Sequence, residues 1–275
     1  MIYYETYGEG RPVLMIHGFY PDHRLMVGCM EPIFASRPGW KRIYFDLPGM
    51  GGTKGELRID CSDKVLEVLL GFVDHVIPHQ RFLVVGESYG GYLARALVLR
   101  RPELVDGMVL ICPLIHPKQE RRRLPSRKVI VEDPTLMSEI DPSDSQEFAS
   151  VAVIQSRENW ERFRNEVLAG LRIADITYLE RLGKNGYGLS FDPDSGTEPY
   201  DKPVLMLVGR QDTSVGYEDA WNIIENYPRA TFAALDSAGH NLQIEQSQIF
   251  NLLISEWLDR VERESGADHR IAKLG

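Results

Sequence analysis

The sequence predicts an α/β fold: a mostly parallel central sheet with helices on both faces, interrupted once by an inserted helical cap. Three patterns predict it. Short apolar runs recur without polar alternation, as in strands covered on both faces. Longer amphipathic stretches separate them, and this regular exchange marks a wound sheet with right-handed crossovers. The exchange then fails once, between about 114 and 199, over an interval too long for a loop and largely helix-like.

In chain order, the strand candidates are "PVLMIHG" (12–18), "RIYFDLPG" (42–49), "RFLVVGES" (81–88), "GMVLICP" (107–113), "PVLMLVGRQD" (203–212) and "ATFAALDSAGH" (230–240). Helix candidates lie at 62–77, 89–101, 217–227 and 244–263. In the second of these, Leu93, Ala94, Leu97 and Val98 fall on one stripe. The sheet core is thus expected over 1–113 and 200–263, the cap over 114–199, and a frayed polar tail over 264–275. Within the cap, "SRENWERFRNEVLAGLRIADITYLERLG" (156–183) is helical in pattern. Its Trp160, Phe163, Val167, Leu168 and Leu171 form an apolar stripe that packs on the main domain and in part roofs a pocket. The basic run "RRRLPSRK" (121–128) reads as a solvated hinge into the cap rather than an anion site.

The chain has 275 residues, 43% hydrophobic and 26% charged, which suits a soluble domain with a sizeable core. A net charge of -9 argues against nucleic acid and anionic membranes as partners. The N-terminal "MIYYETYGEG" lacks a basic, apolar leader, and no apolar run is long enough for a membrane span. Cys29, Cys61 and Cys112 are scattered and lack metal-ligand spacing, so free thiols in a reducing cytoplasm are expected and no metal site is. Nothing in the sequence sets an oligomeric state.

"VVGESYGG" (84–91) raises the chemical question. Gly86-Glu87-Ser88-Tyr89-Gly90 fits G-x-S-x-G between a strand and a helix, the setting of a nucleophile elbow. Small neighbours are needed because the sharp turn presses backbones together, and the helix N-terminus favours developing negative charge. A hydroxyl is a poor nucleophile until an oriented base takes its proton. "AGHN" (238–241) offers His240 and "GRQD" (209–212) offers Asp212. Singly, these could be a surface histidine and a helix cap. Together, Ser88, Asp212 and His240 each follow the carboxyl end of a buried strand, where sites assemble in open α/β sheets.

The order of these motifs resembles the α/β-hydrolase family, in its lidded form. "IHGF" (16–19) is similar to the family's His-Gly loop, and "DLPGMGGT" (46–53) to its D-x-P-G-x-G turn. The resemblance implies a Ser88–His240–Asp212 triad and an oxyanion hole formed by the backbone N–H groups of Phe19 and Tyr89. It implies that His17 shapes its loop rather than transferring protons. Some relatives place the acid after the strand before the lid, but "LICPLI" (110–115) has no carboxylate there. Asp212 is therefore expected as the acid, with Asp219 the next candidate. Ser88 stands where relatives that open epoxides or remove halide carry an aspartate, which argues against both chemistries.

The expected activity is acyl transfer to water, without metal or cofactor, on a small or medium carboxylic ester. Two other readings remain beside it. One is a prolyl-aminopeptidase-like peptidase acting on short peptides, whose amine would meet cap carboxylates among Glu132, Asp133, Glu139, Asp141, Asp144 and Glu147. The other is a ligand receptor on a hydrolase scaffold.

Overall fold

A computed structural model describes residues 1–196 and 198–271. One seven-stranded sheet runs through it in the order β1-β3-β2-β4-β5-β6-β7. The strands are β1 (Tyr4–Tyr7), β2 (Arg11–Ile16), β3 (Trp40–Phe45), β4 (Phe82–Glu87), β5 (Val105–Ile111), β6 (Val204–Gly209) and β7 (Ala230–Leu235). Only β1 is antiparallel to its neighbour. Every residue of the central β4 and β6 is buried, as their unbroken apolar runs require.

Helices cover the sheet: α1 (His23–Phe34), α2 (Ser62–Val76), α3 (Tyr89–Arg100) and α11 (Ser247–Ile271) are the long ones. Buried along α3 are Leu93, Ala94, Leu97 and Val98, but also Gly90, Gly91 and Tyr92, so it is enclosed on more than the one stripe. No helix among the described residues is long and apolar enough to cross a membrane.

Four elements differ from the sequence pattern. Strand β1 is a half-exposed edge whose residues alternate, so it carries no apolar run. Helix α1 contains Gly28 and Pro32, which lower helix propensity, yet Leu25, Met26, Cys29, Met30, Ile33 and Phe34 bury one face and override it. The stretch 217–227 forms only α9 (Glu218–Trp221) and a 3-10 turn, Ile224–Asn226. The last helix candidate splits into α10 (Leu242–Glu245) and α11, and α11 runs on through Ile271 into the segment expected to fray; residues 272–275 lie outside the described residues.

Between β5 and β6 the chain is built of short helices: α4 (Pro134–Glu139), α5 (Pro142–Val151), α6 (Arg157–Phe163), a π-helical turn (Arg164–Leu168), α7 (Ala169–Leu171) and α8 (Ile176–Gly186). Asp133, Asp141, Ser156 and Asp175 each accept a backbone N–H at a helix start, and prolines open α4 and α5. Trp160 and Phe163 pack on Phe148, inside this segment. Hydrogen bonds tie it down at several points, including Arg162 Nη1 to the Gln243 carbonyl (3.0 Å), Tyr178 hydroxyl to the Ile59 carbonyl (2.7 Å) and Asp175 N–H to the Gly49 carbonyl (2.8 Å).

Candidate active site

Ser88 sits at the junction of β4 and α3 with φ 52° and ψ -113°. A non-glycine residue held there carries roughly 1–3 kcal/mol of backbone strain. The surroundings fix it: Ser88 N–H donates to the Ile111 carbonyl (2.9 Å), and its own carbonyl accepts from Tyr92 (3.1 Å) and Leu114 (3.0 Å). The glycines of the motif have a steric reason. A Cβ on Gly86 would fall on the Gly90 carbonyl, and one on Gly90 would fall on the Ile16 carbonyl.

The three residues expected to act together form one hydrogen-bonded chain. Asp212 Oδ2 lies 2.8 Å from His240 Nδ1, and His240 Nε2 lies 3.0 Å from Ser88 Oγ. Asp212 is fully buried, and its other oxygen accepts the N–H groups of Ser214 (2.8 Å) and Val215 (3.1 Å). Burial opposes its charge, but His240 and these donors outweigh burial and hold the carboxyl below its usual range. Asp219 is elsewhere, accepting from Arg123 N–H at 2.9 Å.

Burial also disfavours a charged His240. The charge and hydrogen bond of Asp212, with the charge of Glu87, more than reverse this and raise the imidazole to about 9. Glu87 is the site residue that the motif hid, standing at its variable position. Its carboxyl is buried, 3.4 Å from His240 Nε2, the same nitrogen that faces Ser88. Burial first, then the Asp212 charge, push it up to about 7, against the pull of His240. A carboxylate closing a fully buried strand was the available signal.

The two loops expected to supply backbone donors are locked together by aromatic rings. Phe19 packs edge-on against Tyr89 (5.2 Å) and Tyr187 (5.0 Å), while Tyr89 stacks on Tyr187 at 5.1 Å. Tyr89 is the first residue of α3, so its N–H has no intrahelical acceptor, and no backbone carbonyl among the described residues accepts from Phe19 N–H. His17 is fully buried; Nδ1 donates to the Gly18 carbonyl (2.7 Å) and Nε2 accepts from Leu47 N–H (3.0 Å). That pattern fixes a neutral tautomer that staples the loop, and burial lowers the ring's pKa.

A cavity of about 320 Å³ opens over Ser88 and His240. Phe163, Val167 and Leu171 from the helical segment line it; Trp160 and Leu168 of the same stripe do not. Of the six acidic residues considered there, only Glu147 lines this cavity. Asp133 and Asp141 cap helices, while Glu139 and Asp144 pair with Arg157 and Arg172. Arg122, within the run read as a hinge, also lines the cavity. A larger cavity, about 490 Å³, lies around Arg95, Asp194 and Tyr227 and contains none of these groups.

Cys112, Asp212 and His240 place potential metal-ligating atoms within 4.8 Å of one another. Their chemistry does not suit a cation. Burial pushes the Cys112 thiol well up, keeping it protonated, and both imidazole nitrogens of His240 are engaged by Asp212 and Ser88.

Comparison with known proteins agrees with this architecture. An α/β-hydrolase superfamily protein from Oenococcus oeni has a crystal structure that superposes with a TM-score of 0.87 at 30% identity, covering 95% of this chain and 96% of that one. A 2-hydroxy-6-oxononadienedioate/2-hydroxy-6-oxononatrienedioate hydrolase from Burkholderia vietnamiensis is 26% identical over 272 residues, covering 94% of this chain and 91% of its own length. A pimeloyl-[acyl-carrier protein] methyl ester esterase from Aeromonas hydrophila is 25% identical over 260 residues, covering 92% and 98%. The model of the alpha/beta hydrolase family matches residues 13–251, and the chain belongs to that family.

Proposed function

We propose that this hydrolase cleaves small or medium carboxylic esters by acyl transfer to water through Ser88. The observation that carries the reading is the unbroken chain from Asp212 through His240 to Ser88, at 2.8 and 3.0 Å, with Ser88 and His240 lining a partly enclosed cavity. Ser88 Oγ attacks the ester carbonyl as His240 Nε2 takes its proton; Asp212 holds the Nδ1 proton and stabilises the cationic ring. The N–H groups of Phe19 and Tyr89 receive the oxyanion, each contributing about 3 kcal/mol of transition-state stabilisation. His240 returns the proton to the departing alkoxide. Water, deprotonated by His240, then attacks the acyl-enzyme, and collapse restores Ser88 and releases the acid.

No step is routed through a metal or cofactor. Residues 114–199 act as the cap, with Phe163, Val167 and Leu171 selecting the substrate's apolar part. The esterase among the relatives supports an ester over other acyl compounds.

A second reading, an aminopeptidase-like enzyme on short peptides, has one observation in its favour: Glu147 lines the cavity and could meet an amine. Fluorophosphonate labelling, followed by a panel of p-nitrophenyl acyl esters beside aminoacyl-anilides, separates the possibilities. Labelled Ser88 with ester turnover is expected. Turnover of anilides alone would establish the peptidase, and labelling without turnover of either would leave a receptor.

A further inference from the structure

Arg122 lines the cavity that holds Ser88 and His240, and its charge is felt at His240. Its guanidinium is fixed by uncharged groups only: Nε donates to the His116 carbonyl (2.9 Å), Nη1 to the Ser214 carbonyl (2.9 Å) and Nη2 to the Pro117 carbonyl (3.1 Å). No carboxylate among the described residues forms an ion pair with it, although the chain carries a net charge of -9. Arg24, Arg42, Arg162 and Arg172 all have acidic partners. The carbonyls hold the plane of Arg122 and leave N–H groups on both terminal nitrogens. Its field reaches His240, whose protonated form it disfavours.

We infer that Arg122 is a specificity-determining residue that binds a carboxylate on the substrate, so the preferred esters carry an anionic group besides the scissile bond. This deepens the ester reading above and rests on it. A planar guanidinium with oriented, unused N–H groups is built for a carboxylate, and a charge-assisted pair in a partly enclosed site is among the stronger polar contacts. One uncompensated positive charge matches a monoanion. A phosphate dianion would meet the Glu87 and Asp212 carboxyls beneath the cavity with too little opposing charge. An ammonium group would face Arg122 itself; of the two carboxyls that line the cavity, Glu87 is buried against His240 and Glu147 is exposed and solvated.

The test uses matched esters. Mono(p-nitrophenyl) adipate against p-nitrophenyl hexanoate places the charge on the acyl side, and a carboxy-substituted nitrophenyl hexanoate places it on the leaving group. The wild-type enzyme should favour the charged member of one pair by about tenfold or more in kcat/KM, mostly through KM. Arg122→Gln should erase that ratio and Arg122→Lys should keep part of it. In parallel, free adipate should slow fluorophosphonate labelling of Ser88 in the wild type and not in Arg122→Gln.

If neutral esters are turned over and Arg122→Gln leaves the charged-to-neutral ratio unchanged, the anion subsite is wrong and the ester reading survives. If no ester is turned over but adipate still protects Ser88 through Arg122, the ester reading falls and the subsite stands. Because Arg122 also ties three carbonyls, thermal melting precedes the kinetics. Should Arg122→Gln not fold, Arg122→Lys decides: loss of the planar fork must lower the charged-to-neutral ratio by about threefold or more, and an unchanged ratio overturns the inference.

Discussion

The edge of the sheet and the helical segment between β5 and β6 are made differently, and the difference divides the chemistry. Ser88, Cys112 and Ser237 lie just beyond strand ends with φ of 52°, 41° and 55°, conformations that L-residues rarely adopt. They persist because buried parallel strands and backbone hydrogen bonds over-determine them, as at Ser88. The 114–199 segment stores no such strain: its described non-glycine residues have ordinary φ, and it is a string of short helices, of which α4, α5, α6 and α8 begin at a capping side chain. Rigid strand ends suit atoms that must be placed to a fraction of an ångström. Short helices around a cavity suit a surface that can change without disturbing them.

That contrast can be broken first at the strand edge. Ser88→Ala should lower kcat by about 10⁶-fold while melting as the wild type does, since the hydroxyl contributes little packing. Near-wild-type turnover on all accepted esters would remove the acyl-enzyme scheme. Asp212→Asn should lose about 10⁴-fold, because an amide no longer holds His240 in the working tautomer; normal kinetics would mean that another group orients the ring.

A finer probe is the pH–rate profile. His240 must be neutral to accept the Ser88 proton, and with its pKa raised to about 9 the free-enzyme profile should climb through the alkaline range. Glu87→Gln takes away a negative charge 3.4 Å from Nε2, so imidazolium is less favoured and the rising limb should move to lower pH, by about one unit. An unmoved limb would show that Glu87 is already neutral where the limb falls. The smallest effects belong to the other region. Val167→Ala and Leu171→Ala should shift the preferred acyl length, with KM changes of about tenfold or less, and leave the labelling rate of Ser88 by a small fluorophosphonate nearly constant. Trp160→Ala, whose ring packs on Phe148 and Phe163, should affect stability before specificity. If labelling collapsed in folded variants of these cavity residues, the helical segment would be part of the chemistry.

By itself the sequence determined the sheet order's raw material and the placement of Ser88, Asp212 and His240, because buried parallel strands leave continuous apolar runs and an elbow leaves paired glycines. The family resemblance implied that His17 shapes its loop, and both of its ring nitrogens are bonded to backbone groups. Contacts between residues far apart in the chain were decided only by the tertiary structure. Edge strand β1 has no apolar run to read, and α1 forms despite Gly28 and Pro32 because its apolar face is covered. Glu87 becomes an electrostatic partner of His240 only when residues 153 positions apart meet (240 − 87). Arg122 looked like one of several solvated cations in a basic run, and its neighbours in sequence carry no sign of the difference. What sets it apart is a set of carbonyls from two loops and a cavity wall, and such a three-dimensional fit has no period or motif along the chain.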